Sequence, residues 1–431
     1  MQIETKCLHE GYKPENGGPG VMPIVQSTTY RFDSTEKIAS LFDMPTECIY
    51  SRFANPTCDA VEKKIAALEG GVGAMLTTSG QAASLLSILN LCSAGDSFIA
   101  VSTIYGGTIN LFGVTLKKLG IECIWADAEA DEEEIQKLFK PNTKAVFGET
   151  LANPALTVFD IEKWANIAHK NNVPLIVDNT FATPVLCRPF EWGADIVIHS
   201  TTKYMDGHAV QGGGVIVDGG KFDWTASGKF PDFTEPDESY HGVVYTRDFG
   251  AMAYIIKARM QLMRDFGCYP SAHSAFLLNM GLETLPVRMK QYCENALTVA
   301  KFLEASDKIA SVRYPACRAT STSSARRSIC ARHLGRHVHR HQGRPRSGNE
   351  IHGQPEARVQ RGSRCRHPHL RAASGFRDPS PADRRAACCR RHRAGHGPHF
   401  GRSGERRGHH CRPSAGARPD LRGASHAHSL Y

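Results

Sequence analysis

The chain has 431 residues, 41% of them hydrophobic and 22% charged, with a formal net charge of +9; that length buries a large core and accommodates two or more domains. Its polar, mixed-charge opening, Met1-Gln-Ile-Glu-Thr-Lys-Cys-Leu-His-Glu10, is no signal peptide, and no apolar run is long enough to span a bilayer. The 14 cysteines lack metal-ligand spacing and fit a reducing cytoplasm better than a disulfide framework, so neither a metal nor a membrane is an expected partner.

In chain order, Tyr50-Ser-Arg-Phe-Ala-Asn-Pro-Thr57 reads as a loop that sets Arg52, a bidentate phosphate binder, beside Tyr50. On local grounds a solvated arginine serves equally well. Thr77-Thr-Ser-Gly-Gln-Ala-Ala83 follows an apolar stretch and opens a helix over Ala82–Leu91. Such a small-residue turn offers a phosphate free N–H groups at Gly80 and Gln81, although many Ser-Gly turns cap helices with no ligand. Ser97–Val101, Ala145–Gly148, Pro174–Val177 and Asp195–Ile198 are short continuous apolar runs, predicting strands covered on both faces. Helices are expected between them over Asp131–Phe139 and Ile161–Asn171. The alternation predicts an α/β fold whose mostly parallel sheet binds ligands at its carboxyl ends.

Within this frame, Tyr105 lies beside Gly106 and Gly107, which would let its ring lie flat on a planar ligand. Asn153 follows the strand ending at Glu149, placed to donate a hydrogen bond. Asp178 ends the Pro174–Val177 run, and Lys203 follows the next one in His199-Ser-Thr-Thr-Lys-Tyr-Met-Asp-Gly-His208, with Ser200 and Thr202 near it. A lysine and an aspartate released from neighbouring strand ends suit pyridoxal 5′-phosphate (PLP). The lysine holds its aldehyde as a Schiff base, and the aspartate keeps its pyridine nitrogen protonated. Further on, Leu285, Met289, Tyr292, Ala296, Val299 and Leu303 recur every three or four residues, one stripe of a long helix.

Together these segments resemble the Cys/Met-metabolism family of PLP enzymes, which includes cystathionine γ-synthase, the cystathionine and methionine γ-lyases and O-acetylhomoserine sulfhydrylase. The resemblance covers residues 3–315. It implies a PLP-dependent transferase of fold type I, with an N-terminal arm and clamp over 1–50 and a PLP-binding large domain over 51–245. Linking helices and the start of a C-terminal small domain then occupy 246–315. It implies Lys203 as the Schiff-base lysine, Asp178 as the pyridinium partner and Tyr105 as the ring-stacking residue. Gly80, Gln81, Ser200 and Thr202 become phosphate ligands, and Asn153 the phenolate contact. It also implies a homodimer or homotetramer in which Tyr50 and Arg52 reach the neighbouring subunit's phosphate. Glu4–Tyr12 and the stretch from Phe222 to Gly242 look like the sulfhydrylase branch, and Gly107 stands where methionine γ-lyases carry cysteine. The reaction so implied is γ-replacement on an amino-acid substrate, with sulfide replacing acetate on O-acetyl-L-homoserine to give L-homocysteine. Cystathionine γ-synthase or γ-lyase activity is the alternative within the family.

The language changes at Pro315. Residues 316–431 hold 25 of the 52 basic residues, all arginine, but 6 of the 43 acidic ones, so the tail carries +19 and residues 1–315 carry −10. The body is therefore acidic, and nucleic acid is not its expected partner. A non-catalytic protein with a disordered basic tail is the rival of another class; it requires salt-dependent nucleic-acid binding that is lost on truncation at Pro315. The sharper expectation is a lost reading frame. Shifted by one base, codons over Gly395–Arg412 permit V-R-I-S-V-G-L-E, the kind of segment in which this family carries its carboxylate-binding arginine. The small domain is then scrambled after residue 315.

Overall fold

The structure is a computed structural model that describes residues 1–43, 48–310, 312, 314 and 315. Every expectation placed on 316–431 lies outside the described residues.

Seven strands form one sheet: β1 (Gly73–Thr77), β2 (Ser97–Val101), β3 (Glu122–Ala126), β4 (Thr143–Glu149), β5 (Leu175–Asp178), β6 (Ile196–His199) and β7 (Gly214–Asp218). Their order is β1-β7-β6-β5-β4-β2-β3. The run β3-β2-β4-β5-β6 is parallel; β7 lies antiparallel to both β6 and β1. Parallel neighbours need crossovers, and these place helices on the sheet faces. That is why β1, β2, β6 and β7 are buried at every position and read as unbroken apolar runs.

The helices show their sequence logic locally. In α1 (Pro56–Glu69), Asn55 caps the Thr57 N–H, Pro56 opens the first turn and Gly70 ends the helix at φ 84°. α2 (Gly80–Leu89) leans on β6 and β7. α3 (Ile161–Lys170) turns Ile161, Trp164, Ala165, Ile167 and Ala168 onto the sheet, where it meets β4 and β5. After the sheet come α4 (Ala272–Glu283) and the 20-residue α5 (Leu285–Glu304).

Three strands, β1, β3 and β7, were not among the four expected. β3 was not anticipated, because as an edge strand it is half-exposed over most of its length and carries no continuous apolar run. The reversed direction of β7 has no signature in composition, since a strand buried on both faces is apolar either way. The helix expected over 131–139 is a single turn, Glu132–Gln136, with one buried residue, Ile135. On α5 the stripe is buried at Leu285 and Met289, whereas Val299 is 39% exposed.

A buried ion pair joins α1 to β1. Glu62 accepts the Leu76 N–H at 2.8 Å through Oε1 and meets Arg259 at 2.6 Å through Oε2. Arg259 also donates to the Phe53 and Ala74 carbonyls. Burial pushes the Glu62 carboxyl above its usual range, and Arg259 opposes that shift. Arg259→Met should therefore cost about 3–5 kcal/mol in urea unfolding by stranding a buried carboxylate. Adding Glu62→Gln should recover part of the loss; a single variant within 0.5 kcal/mol of the parent, at about the size of an ordinary surface substitution, would contradict this account.

Candidate active site

The carboxyl ends of β4, β5 and β6 lie side by side, with Glu149 opposite Asp178 and Asp178 opposite Ile198. Asp178 Oδ1 accepts the Thr180 N–H at 3.0 Å and the Thr180 hydroxyl at 2.5 Å. The Thr180 oxygen accepts the Ser200 N–H at 2.8 Å, which fastens the β5 end to the β6 end. Burial raises the Asp178 pKa, while the Thr180 bonds and His199 oppose the rise. His199 is fully buried and pairs with Glu69 at 2.6 Å, and Asn179 donates to the same Glu69 oxygen at 2.9 Å.

Lys203 follows on a turn closed by its N–H to the Ser200 carbonyl (3.3 Å) and by the Gly207 N–H to its own carbonyl (2.8 Å). It is half-buried and forms no ion pair among the described residues. α5 holds this turn from the other side. Arg288 donates to the Tyr204 carbonyl at 2.6 Å and the Met205 carbonyl at 3.2 Å, and the Tyr204 ring lies 5.5 Å from that of Tyr292 and 5.7 Å from that of Phe181. Buried Asp206 accepts the His208 and Val210 N–H groups.

Opposite the turn, Ser79 caps α2 by accepting the Ala82 N–H at 3.1 Å. The Gly80 and Gln81 N–H groups stand in the first turn, outside the helical ladder. A Cβ on Gly80 would come 2.5 Å from the Ser200 Cβ, so only glycine lets the helix start approach Ser200 this closely. Gln81 Oε1 is buried with no hydrogen-bond partner. Thr202 Oγ1 donates to the Gly213 carbonyl (3.1 Å) and accepts its N–H (3.0 Å), which commits its proton within the protein. These residues fit a phosphate at a helix N-terminus, with Ser200 across from it.

Tyr105 is 48% exposed, and its N–H donates to Glu149 Oε2 at 2.8 Å. A Cβ on Gly107 would come 2.5 Å from both Gln81 Nε2 and the Tyr105 ring. Asn153 lies in the segment after β4, half-buried. Tyr50 and Arg52 stand apart from these groups. Arg52 lies over the Tyr50 and Phe53 rings at 5.4 and 5.7 Å and lines a cleft with Asn55, Glu62 and Arg259. Sequence reasoning missed Glu149, His199, Glu69 and Arg288. Glu149 was visible as the strand-ending residue aligned with Asp178, whereas Arg288 had no signal beyond its place beside the apolar stripe. Among the described residues no group of three His, Cys, Asp or Glu side chains could hold a metal.

A mixed sheet of this order, with an aspartate and a lysine at adjacent carboxyl ends facing a helix N-terminus, defines a PLP-dependent enzyme of fold type I. A family profile described as Cys/Met metabolism PLP-dependent enzyme matches residues 4–334, and the chain belongs to that family. It is 44% identical over 322 residues to the O-acetyl-L-homoserine sulfhydrylase of Leptospira meyeri, covering 72% of each chain. It is 43% identical over 321 residues to the homocysteine/cysteine synthase of Saccharomyces cerevisiae, covering 73% of this chain and 72% of that one. A crystal structure described as an O-acetylhomoserine (thiol)-lyase from Campylobacter jejuni, with N′-pyridoxyl-lysine-5′-monophosphate, superposes with a TM-score of 0.71 at 36% identity. That match covers 73% of this chain and 77% of the other.

The close approach at Gly80 gives a direct test. Gly80→Ala presses a methyl on the Ser200 backbone, and overpacking of about 1–3 kcal/mol should weaken PLP binding roughly ten- to a hundredfold. Fluorescence titration of the unloaded protein reads this. Unchanged PLP affinity would show that Gly80 does not shape the phosphate seat.

Proposed function

We propose that the chain catalyses γ-replacement on O-acetyl-L-homoserine, in which hydrosulfide displaces acetate from Cγ and L-homocysteine forms. The observation that carries this reading is the placement of Lys203 and Asp178 at adjoining strand ends across from the Gly80–Ser200 approach; the relatives named as sulfhydrylases supply the substrate. When bound, PLP supplies the electron sink for chemistry at Cα and Cβ. Lys203 would hold its aldehyde and would serve as the base that takes the substrate's α-proton and then a β-proton. Asp178, half-buried and oriented by Thr180, would hold the proton on the ring nitrogen. Gly80, Gln81, Ser200 and Thr202 seat the phosphate, with Thr202 exchanging its Gly213 bond to do so. Tyr105 stacks on the ring, and Asn153 donates to its phenolic oxygen.

Within this reading the protein acts in the cytoplasm as a dimer or tetramer. Tyr50 and Arg52 serve the neighbouring subunit; in its own chain Arg52 lines a cleft with Asn55, Glu62 and Arg259. Among the described residues no helix is long and apolar enough to cross a membrane. Beyond Pro315 we infer an out-of-frame tail. The curated relatives continue for over a quarter of their length beyond the matched part, and the charge of the chain reverses there. The loss of the carboxylate-binding arginine then removes substrate orientation.

Borohydride reduction should fix the cofactor to Lys203, and a label on another lysine overturns its role. Asp178→Asn should retain PLP through the phosphate contacts yet nearly abolish α-proton exchange with solvent. The printed chain should make homocysteine from O-acetylhomoserine and sulfide orders of magnitude more slowly than a version with the frame restored after Pro315. Ammonia with a 2-oxo acid as the products would identify a lyase instead.

A further inference from the structure

The turn that carries Lys203 is closed by its own backbone and gripped by one side chain from elsewhere. The Asp206 N–H donates to the Thr201 carbonyl at 3.0 Å, and the Gly207 N–H to the Lys203 carbonyl at 2.8 Å. Arg288 arrives from α5, where it is half-buried between Leu285 and Met289, at 0% and 3% exposure. Its guanidinium donates to the Tyr204 carbonyl at 2.6 Å, the Met205 carbonyl at 3.2 Å, the Gly281 carbonyl and the Thr284 hydroxyl oxygen at 3.0 Å. Three of these acceptors are backbone carbonyls and none is a carboxylate, so the group serves as a rigid fork for main-chain oxygens. Two glycines make room for it. A Cβ on Gly207 would come 2.6 Å from Arg288 Cζ, and one on Gly281 would come 2.7 Å from the Met205 carbonyl oxygen.

We infer that Arg288 is a positioning residue for Lys203, acting through the two carbonyls that follow the lysine in the chain. This deepens the proposed function and rests on that reading for the role of Lys203 toward PLP. The Lys203 side chain forms no ion pair among the described residues, so the backbone of its turn decides where the amine can reach. Leu285 and Met289 seat α5 in the core, and the fork passes that fixed position to the turn. A lysine at 288 keeps the charge but offers a single nitrogen, which cannot span four acceptors. The phosphate seat lies on other elements, at Gly80, Gln81 and Ser200, and Arg288 bonds none of them.

Two ligands separate the lysine from the seat. Pyridoxamine 5′-phosphate has the ring and phosphate of PLP but an amine in place of the aldehyde, so it binds without a bond to Lys203. In the full chain carrying Arg288→Lys, PLP affinity should fall about ten- to a hundredfold, the size of a lost hydrogen bond to a charged group. Affinity for pyridoxamine 5′-phosphate should be unchanged. The Asp206 and Gly207 amides should exchange hydrogen faster in the variant, while Val197 and Ile198 in β6 keep their rates. Equal losses for both ligands would mean general support only, and that overturns the inference; so does no loss for either. Gly207→Ala, which presses on the guanidinium from the turn, should give the same split between the ligands. If neither variant folds, the unmutated chain decides: fast exchange at Asp206 and Gly207 without PLP overturns the grip, and slow exchange supports it. PLP fixed to Lys203 by borohydride, with equal losses in the variant, refutes the inference and leaves the proposed function standing. No label on Lys203 in the unmutated chain refutes the proposed function, and the Asp206 and Gly207 exchange rates in Arg288→Lys still judge the grip.

Discussion

A carboxyl group half-buried at the end of a central strand needs something to hold it, and Asp178 sets that requirement for the rest of this structure. Its one bonded oxygen takes two bonds from Thr180, and Thr180 passes the constraint to the Ser200 backbone. From Ser200 the constraint reaches two ways. Across the gap it meets Gly80 at the start of α2; along the chain it leads into the Lys203 turn. Asp178, the start of α2 and the Lys203 turn are therefore parts of one connected network. Behind them the buried pair of Glu69 and His199 connects the strand ends to α1, so the site rests on helix packing as well as on the sheet.

Much of this was legible in the residues. Four of the seven strands show as unbroken apolar runs because crossovers cover both their faces, and the ends of two of them carry Asp178 and lead to Lys203. The turn that opens α2 was legible from its Ser-Gly pair, whereas its close approach to Ser200 was not. Direction was not legible. β7 is as apolar as its parallel neighbours, and nothing along one strand reports which way the next one runs. The edge strand β3 was missed for the opposite reason, since its half-exposed residues lack the run that marks a core strand. Thr202 shows a further limit. Sequence placed its hydroxyl at the phosphate, and without the ligand the hydroxyl bonds Gly213.

The supporting residues were the hardest to read. Arg288 lies 85 positions after Lys203 in the chain yet binds the carbonyls of the two residues that follow it. Glu149 reads as the end of a strand, and its bond to the Tyr105 N–H appears only in the folded chain. Such groups act through backbone atoms, which every residue has, so the sequence of their partners gives no sign of them. Catalytic side chains have distinctive chemistry; their supports mostly have distinctive neighbours.

The reversed direction of β7 has a consequence for the lysine. Had β7 run parallel to β6, the chain after His199 would have needed a crossover across a sheet face, normally a dozen or more residues and a helix. Because it runs back, segment 200–213 is a closed loop whose two ends are pinned to neighbouring strands by the β6–β7 ladder. Loop-closure entropy is lost before any cofactor arrives, and Lys203 is delivered to one small region near Asp178. The strand whose direction left no trace in the composition thus serves as a mooring, and it keeps the Lys203 segment at the carboxyl edge of β6 instead of carrying it across a sheet face.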